Sequence, residues 1–209
     1  RWRCAPELAT SDVPEQATFH FPGGLKDYLD ERVNGRTRVA KEIFSGRVDR
    51  EGGHGSVEWA ISWLTDAAAF SQSYCNTIPT ADGGTHEIGL RGALSKGLRA
   101  DGDLVGNKKA SQITADDVTG TAATMLSVFI REPEFQGQTK DKLATTEAAR
   151  IVENTVKDAF DHWLAESPQQ ATKLLEWCVE QAEDRLRRRR EKEIGRQTAT
   201  RRLRLPGKL

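Results

Sequence analysis

The order of two apolar periodicities is the strongest constraint on this chain. Thr121 to Ile130 has strand character, as do one short and three longer earlier runs, whereas the residues after Leu143 follow a helical pattern to about residue 194. Strands first and a long helical end exclude a regularly alternating βαβ architecture and predict an α+β domain with a long C-terminal helix. The junction is the stretch Pro133-Glu134-Phe135-Gln136-Gly137-Gln138-Thr139-Lys140-Asp141-Lys142-Leu143. Its central Gly137 tolerates the φ values of a tight turn, which would put Gln138 and Lys140 at the tip. An amide and an ammonium held there suit an anion supplied from outside the chain. A solvated connecting loop is the plain alternative.

Taken in order, residues 1–15 read as the end of a preceding element and a loop. Ala17 to Phe21 reads as a short strand, and Leu25, Tyr28, Leu29 and Val33 recur at helical spacing. Val39 to Val48 and Ser56 to Leu64 alternate like half-buried strands around the turn Glu51-Gly52-Gly53-His54-Gly55, and Phe70 to Ile78 makes a third. After the turn Pro79 to Gly84, Thr85 can cap a helix over 86–99. Ala100 to Ser111 reads as a loop, Thr114-Ala115-Asp116-Asp117 as a short capped helix, and Thr121 to Ile130 as the last strand. A helix then runs from Thr145 or Thr146 to about Ala165. Ser167-Pro168 starts another that reaches Ile194 or beyond, on the order of 40 Å long.

The chain has 209 residues, 37% of them hydrophobic and 30% charged, which bounds it to one or two domains with a heavily charged surface. Its formal net charge is +0, but the basic residues gather at one end: Arg185 to Arg190 holds five arginines, and Arg196, Arg201, Arg202, Arg204 and Lys208 follow. Such a basic end hints at nucleic acid, although Glu183, Asp184, Glu191 and Glu193 cancel much of the charge. Cys4, Cys75 and Cys178 are too widely spaced for a disulfide framework or a zinc site, and read as reduced cytoplasmic thiols. No run approaches a membrane span and no signal peptide is visible, so no membrane partner is expected. Without a starting Met, and abrupt at both ends, the chain reads as an excised fragment.

Several apparent sites fail on chemistry. His86-Glu87 begins an HExxH, but Leu90 stands where the second histidine should. Asp101-Gly102-Asp103 opens like a calcium loop, but Val105 and Gln112 occupy ligand positions. His20, His54 and His162 lie apart from any metal-ligand spacing, so no metal site is expected. Trp59 and Trp63 read as sheet core, Trp163 and Trp177 as helix packing. No P-loop, GxGxxG or Ser/His/Asp order is present.

Four ordered stretches carry a resemblance. Phe19-His20-Phe21-Pro22-Gly23-Gly24-Leu25, then Ser73-Tyr74-Cys75-Asn76-Thr77-Ile78 with Asp82-Gly83-Gly84-Thr85-His86-Glu87-Ile88-Gly89-Leu90-Arg91-Gly92-Ala93-Leu94, then Phe135 to Leu143, then Leu205-Pro206-Gly207-Lys208-Leu209 together resemble the transducer region of the ATPase subunits of bacterial type IIA topoisomerases. That family includes the B subunits of DNA topoisomerase IV and of DNA gyrase; the lead-in Arg201 to Pro206 is more similar to the former. The resemblance implies a ribosomal-S5-domain-2-like fold. It divides the chain into 1–15, the end of an ATPase domain; 16–165, the transducer; 166–200, a long helix; and 201–209, the threshold of a TOPRIM domain.

The resemblance further implies an ATP-hydrolysing type II DNA topoisomerase. Its ATPase subunit dimerises on ATP and Mg2+, acts on DNA with a DNA-cleaving A subunit, and works in the cytoplasm. Lys140 would contact the γ-phosphate, with Gln138 beside it as a nucleotide-binding residue. Neither nucleotide nor metal is expected to bind this stretch by itself. Arg91, in the place of the arginine of the family's Gly-Phe-Arg segment, would contact DNA in the cavity through which a duplex passes. A surface arginine in an ion pair is the equal alternative. Leu90 for the aromatic and Asp101 before Gly102 depart from the family pattern. A non-enzymatic nucleic-acid-binding module of the same fold is the rival from another class.

Overall fold

The computed structural model describes residues 1–11, 13–65 and 69–202, with side chains to residue 196. A two-stranded ribbon pairs β1 (Trp2–Arg3) with β2 (Gln16–Ala17) in antiparallel register. Helix α1 (Leu25–Arg32) follows. The main sheet contains β3 (Phe44–Val48), β4 (Ser56–Trp63), β5 (Phe70–Cys75), β6 (Ile78–Pro79) and, after two helices, β7 (Ala122–Phe129). Its spatial order is β3-β4-β7-β5-β6, antiparallel throughout except that β5 runs parallel to β7. A parallel pair needs a crossover. It consists here of α2 (Thr85–Leu104), a 3-10 turn at Lys108–Gln112 and α3 (Ala115–Thr119). Helices α4 (Thr146–Glu166) and α5 (Pro168–Arg202) complete the chain.

Successive strand residues face opposite sides of a sheet, and β4 and β7 are buried on both. Val57, Trp59, Ile61 and Trp63 of β4 join Leu126 and Val128 of β7 in the main core under α2, α4 and α5. Ala60, Ala123 and Met125 face the other way, onto Leu29 and Val33 at the end of α1. The sheet is thus the middle of three layers. Phe44, Trp63, Phe160 and Trp163 form one aromatic group, with the Phe44 and Phe160 centroids 5.0 Å apart. The expected core role of Trp59 and Trp63 holds, and Trp163 packs α4 against the sheet rather than only against α5. Trp177 Nε1 donates to Thr121 Oγ1 at 3.0 Å, so it ties α5 to the start of β7.

Three strand expectations were too long. Of Ala17 to Phe21 only Ala17 pairs, with Gln16 just before it, and in Val39 to Val48 the ladder begins at Phe44, although Val39 N–H donates to Trp63 O at 2.9 Å. The run Phe70 to Ile78 breaks at Asn76 and Thr77, both at positive φ (50° and 67°), so that Ile78–Pro79 returns as β6. The predicted helix over 86–99 extends instead from Thr85 to Leu104, taking in part of the expected loop. Gly102 explains the extension: it is buried on α2, where its missing side chain admits Ala110 of the 3-10 turn. The capped helix at Thr114 is present, with Thr114 N–H and Oγ1 both donating to Asp117 Oδ2 at 2.8 Å. The closing motif Leu205 to Leu209 lies outside the described residues.

Candidate functional site

The loop carrying Gln138 and Lys140 is a short, closed hairpin on a rigid stem. Ala144 N–H donates to Glu134 O at 2.8 Å, and Gln136 N–H to Lys142 O at 2.8 Å. The outgoing arm also pairs with the turn before α2: Leu143 N–H donates to Gly83 O at 3.0 Å, and Thr85 N–H to Leu143 O at 3.1 Å. Asp82 N–H adds a bond to Asp141 O at 2.9 Å. Gly84, at φ +143°, passes so close to this arm that a Cβ there would lie 2.3 Å from Leu143 O. A side chain is therefore excluded by both conformation and space.

The incoming end is held by Asn76. Its Nδ2 donates to Ile130 O at 2.7 Å while its Oδ1 accepts from Ile130 N–H at 2.9 Å, fixing the chain as it leaves β7. A left-handed backbone at Asn76 aims the amide at that target, and asparagine tolerates this conformation better than most residues. The Ser-Tyr-Cys-Asn-Thr-Ile and Asp-Gly-Gly-Thr-His stretches, distant in sequence, thus converge on one loop.

Gln138, Thr139 and Lys140 are exposed at the tip, as expected for a loop that presents side chains outward. Lys140 adopts φ +61°, and its Nζ lies 6.0 Å from the Phe135 ring centroid. Among the described residues no carboxylate pairs with that ammonium. The cation is free to neutralise an anion brought to the tip. The described residues contain no group of three or more His, Cys, Asp or Glu that could hold a metal ion.

Beneath the Gly83-Gly84 turn lies a buried polar relay that sequence reasoning missed. His86 is 0% exposed; its Nε2 and Thr80 Oγ1 share a hydrogen bond at 3.1 Å, and Thr80 Oγ1 and Ser73 Oγ another at 2.7 Å. Nδ1 has no partner. Burial pushes the imidazole pKa down to about 4, against a smaller opposite pull from Glu87, so His86 is neutral at physiological pH. Between pH 6.5 and 4 the unfolded chain accepts a proton that the folded chain refuses, so stability falls in that window as the pH drops. We expect a loss of about 3 kcal/mol between about pH 7 and 4 from this residue. Urea denaturation of wild type and His86→Gln at both pH values measures it. An equally steep decline in the variant would assign the acid sensitivity to other groups.

Arg91 lies on the outward side of α2 and pairs with Asp116 of α3. The Arg91 side chain nevertheless remains 44% exposed. The neighbouring Asp117 accepts from Arg185 Nε at 2.8 Å, and Arg185 also donates to Gln112 O at 2.9 Å. Burial raises the Asp117 pKa, but the Arg185 and Thr114 hydrogen bonds outweigh it and hold the carboxyl below the usual range. Adjacent aspartates of α3 thus clasp arginines of α2 and α5. Between α3 and α5 opens a cleft of about 580 Å3 whose lining mixes both signs of charge, with Asp116, Asp117 and Asp184 among the acids and Arg185, Arg188 and Lys192 among the bases. Only part of the Arg185–Arg190 run is thereby neutralised, with Arg187 paired to Asp184 at 3.0 Å.

A family profile described as DNA gyrase B matches residues 24–194. The chain belongs to the DNA gyrase B family. Among the family's curated members, the DNA topoisomerase 4 B subunit of Bartonella bacilliformis is 58% identical over 100% of this chain and 30% of its own length. The protein of the same name from Caulobacter vibrioides is 53% identical over 100% of the chain and 31% of its own length. The chain therefore spans about a third of the curated relatives it matches. Two solved family structures share the α+β fold. The 43K ATPase domain of Thermus thermophilus gyrase B superposes with a TM-score of 0.71 at 28% identity, over 82% of this chain and 46% of that one. The topoisomerase IV ATP-binding domain of Francisella tularensis gives 0.68 at 29% identity, over 83% and 46%.

Proposed function

We propose that the chain is the transducer region of an ATP-dependent type II DNA topoisomerase, from the ATPase subunit of the topoisomerase IV kind, with a ribosomal-S5-domain-2-like core. The observation that carries this reading is alignment of the whole chain, at 53–58% identity, with topoisomerase 4 proteins of that kind. In this reading residues 1–15 end an ATPase domain, 16–165 form the transducer, 166–200 the long helix, and 201–209 the approach to a TOPRIM domain. Partners are DNA, a DNA-cleaving A subunit and a second copy of the ATPase subunit, and the setting is the cytoplasm. Among the described residues no helix is long and apolar enough to cross a membrane.

Gln138 and Lys140 would meet the γ-phosphate of ATP bound with its magnesium, and transfer of that phosphoryl group to water, with ADP as the leaving group, would change the charge at the loop. Lys140 places a cation where charge develops on the γ-phosphate, and Gln138 adds a neutral amide. Loss of the phosphate removes the anion that holds the loop, and the transducer is released to rotate. Arg91 contributes a cation toward a passing DNA duplex once it exchanges Asp116 for a DNA phosphate.

Arg91→Glu in the complete ATPase subunit, assayed with its DNA-cleaving partner, tests this. ATP-dependent decatenation should fall well below wild type while basal ATP turnover stays within about twofold, because losing a phosphate contact weakens DNA binding and flattens its salt dependence. Normal decatenation with normal DNA-stimulated turnover would leave Arg91 as a surface ion pair with Asp116.

A further inference from the structure

The bonds at the foot of the Lys140 loop reach beyond a connector's needs. Thr85 Oγ1 donates to Thr145 O at 2.6 Å, and Thr145 Oγ1 accepts from Glu134 N–H at 2.8 Å. Thr85 is the first residue of α2, and Thr145 stands immediately before α4. Neither hydroxyl caps its own helix in the usual manner; Thr145 makes no side-chain cap bond. Both reach across to the loop instead. Thr85 holds the outgoing strand through its backbone N–H and its side chain, and Thr145 fastens the incoming strand to the outgoing one.

The support beneath is equally firm. Leu143, in the outgoing arm, is 1% exposed. Helices α2 and α4 meet so closely that a Cβ on Gly89 would lie 2.2 Å from Ala149 O, which leaves no room for a side chain between them. The His86–Thr80–Ser73 relay ties the turn before α2 to β5. The exposed tip therefore stands on a stem joined to two closely packed helices.

We infer that Thr85 and Thr145 are positioning residues: their hydroxyls hold the stem of the loop so that Lys140 is presented in one place. This deepens the reading of Lys140 as the γ-phosphate contact and rests on it. Electrostatic stabilisation of a developing charge depends on a fixed donor, and a misplacement of about 1 Å can cost up to about 10²-fold in rate.

The test uses Thr85→Val and Thr145→Val, which keep the branched shape and remove the hydroxyl, with Thr85→Ser and Thr145→Ser as conservative controls. The first readout is hydrogen–deuterium exchange in the complete ATPase subunit, without nucleotide, at the Gln136, Leu143 and Ala144 amides. Each valine variant should exchange about tenfold faster there, since one hydrogen bond is worth about that factor, and the serine variants should match wild type. The second readout is steady-state ATP hydrolysis. The valine variants should lose roughly tenfold in kcat with KM for ATP within about twofold, and serine should restore kcat.

Unchanged exchange in both valine variants overturns the proposal, because the hydroxyls then do not hold the stem. Faster exchange with wild-type kcat overturns it as well, because the held position then does not matter. Thr145→Val leaves the Thr85 bond intact, so it decides the matter if Thr85→Val does not fold. Lys140→Ala, run beside them, separates the two readings. Wild-type turnover in Lys140→Ala would sink the γ-phosphate role itself, and with it the effect on kcat, while exchange alone would still decide whether the threonines hold the stem.

Discussion

Gly89→Ala is expected to lower the melting temperature of the 209-residue chain by about 5–10 °C, equivalent to about 2–3 kcal/mol for a domain of this size. In an exposed helix the same change would be stabilising by up to about 1 kcal/mol, because alanine loses less backbone entropy than glycine. Here the added methyl meets backbone, not a flexible side chain: Ala149 O would lie at 2.2 Å and Ala149 C at 3.0 Å. Relief requires α2 and α4 to part, which opens the core around Leu90, Ala93, Leu94, Val152 and Val156. Gly195 supplies the internal control. It also lies in a helix, but a Cβ there meets nothing within 4 Å. Gly195→Ala should leave the melting temperature unchanged or slightly raised. Thermal unfolding followed by circular dichroism distinguishes the cases, and a Gly89→Ala protein as stable as wild type would mean that the helices are not locked at this point.

The second large effect is expected at Lys140. Under the proposed function, Lys140→Ala in the complete ATPase subunit should cut ATP turnover by on the order of 10²–10³, the usual loss when one preorganised electrostatic donor is removed. Binding of a nonhydrolysable ATP analogue should fall less, since that reading assigns the base and ribose contacts to a preceding ATPase domain and only the γ-phosphate contact to this loop. Gln138→Ala should be milder, because a neutral amide carries less of the developing charge. Stability should be unaffected by either change, as both side chains are exposed and alanine at φ +61° meets the same backbone cost as lysine. Measuring turnover and analogue affinity for each variant separates catalysis from binding. Wild-type turnover in Lys140→Ala would reduce the loop to a connector.

Much of the layout was legible because it depends on local periodicity. The alternation in Ser56 to Leu64, the capping pair Thr114 and Asp117, and the proline at the start of α5 each announced an element that the structure contains. Errors occurred where a local signal met a tertiary demand. Asp101-Gly102-Asp103 has the composition of a turn, yet α2 continues through it because Gly102 is needed bare against Ala110. Asn76 and Thr77 read as strand, yet both turn left-handed to send an amide onto Ile130. His86 resembled half of a metal site, and its use as a buried neutral ring bonded to Thr80 depends on the depth of α2 beneath the turn.

The sequence by itself determined the α+β class, the order of elements and the place of the exposed Gln138–Lys140 tip, because turn chemistry and apolar spacing act over a few residues. Only the tertiary structure decided what the tip stands on. The stem joins residues as far apart as Thr85 and Thr145 or Asn76 and Ile130. No local pattern encodes such a pairing; it exists only when the β5–β7 crossover brings the start of α2 beside the end of β7. The same holds for Arg91, whose partner Asp116 lies on another helix. A charged residue in a sequence does not reveal its counterion, because the partner is chosen by packing and not by spacing.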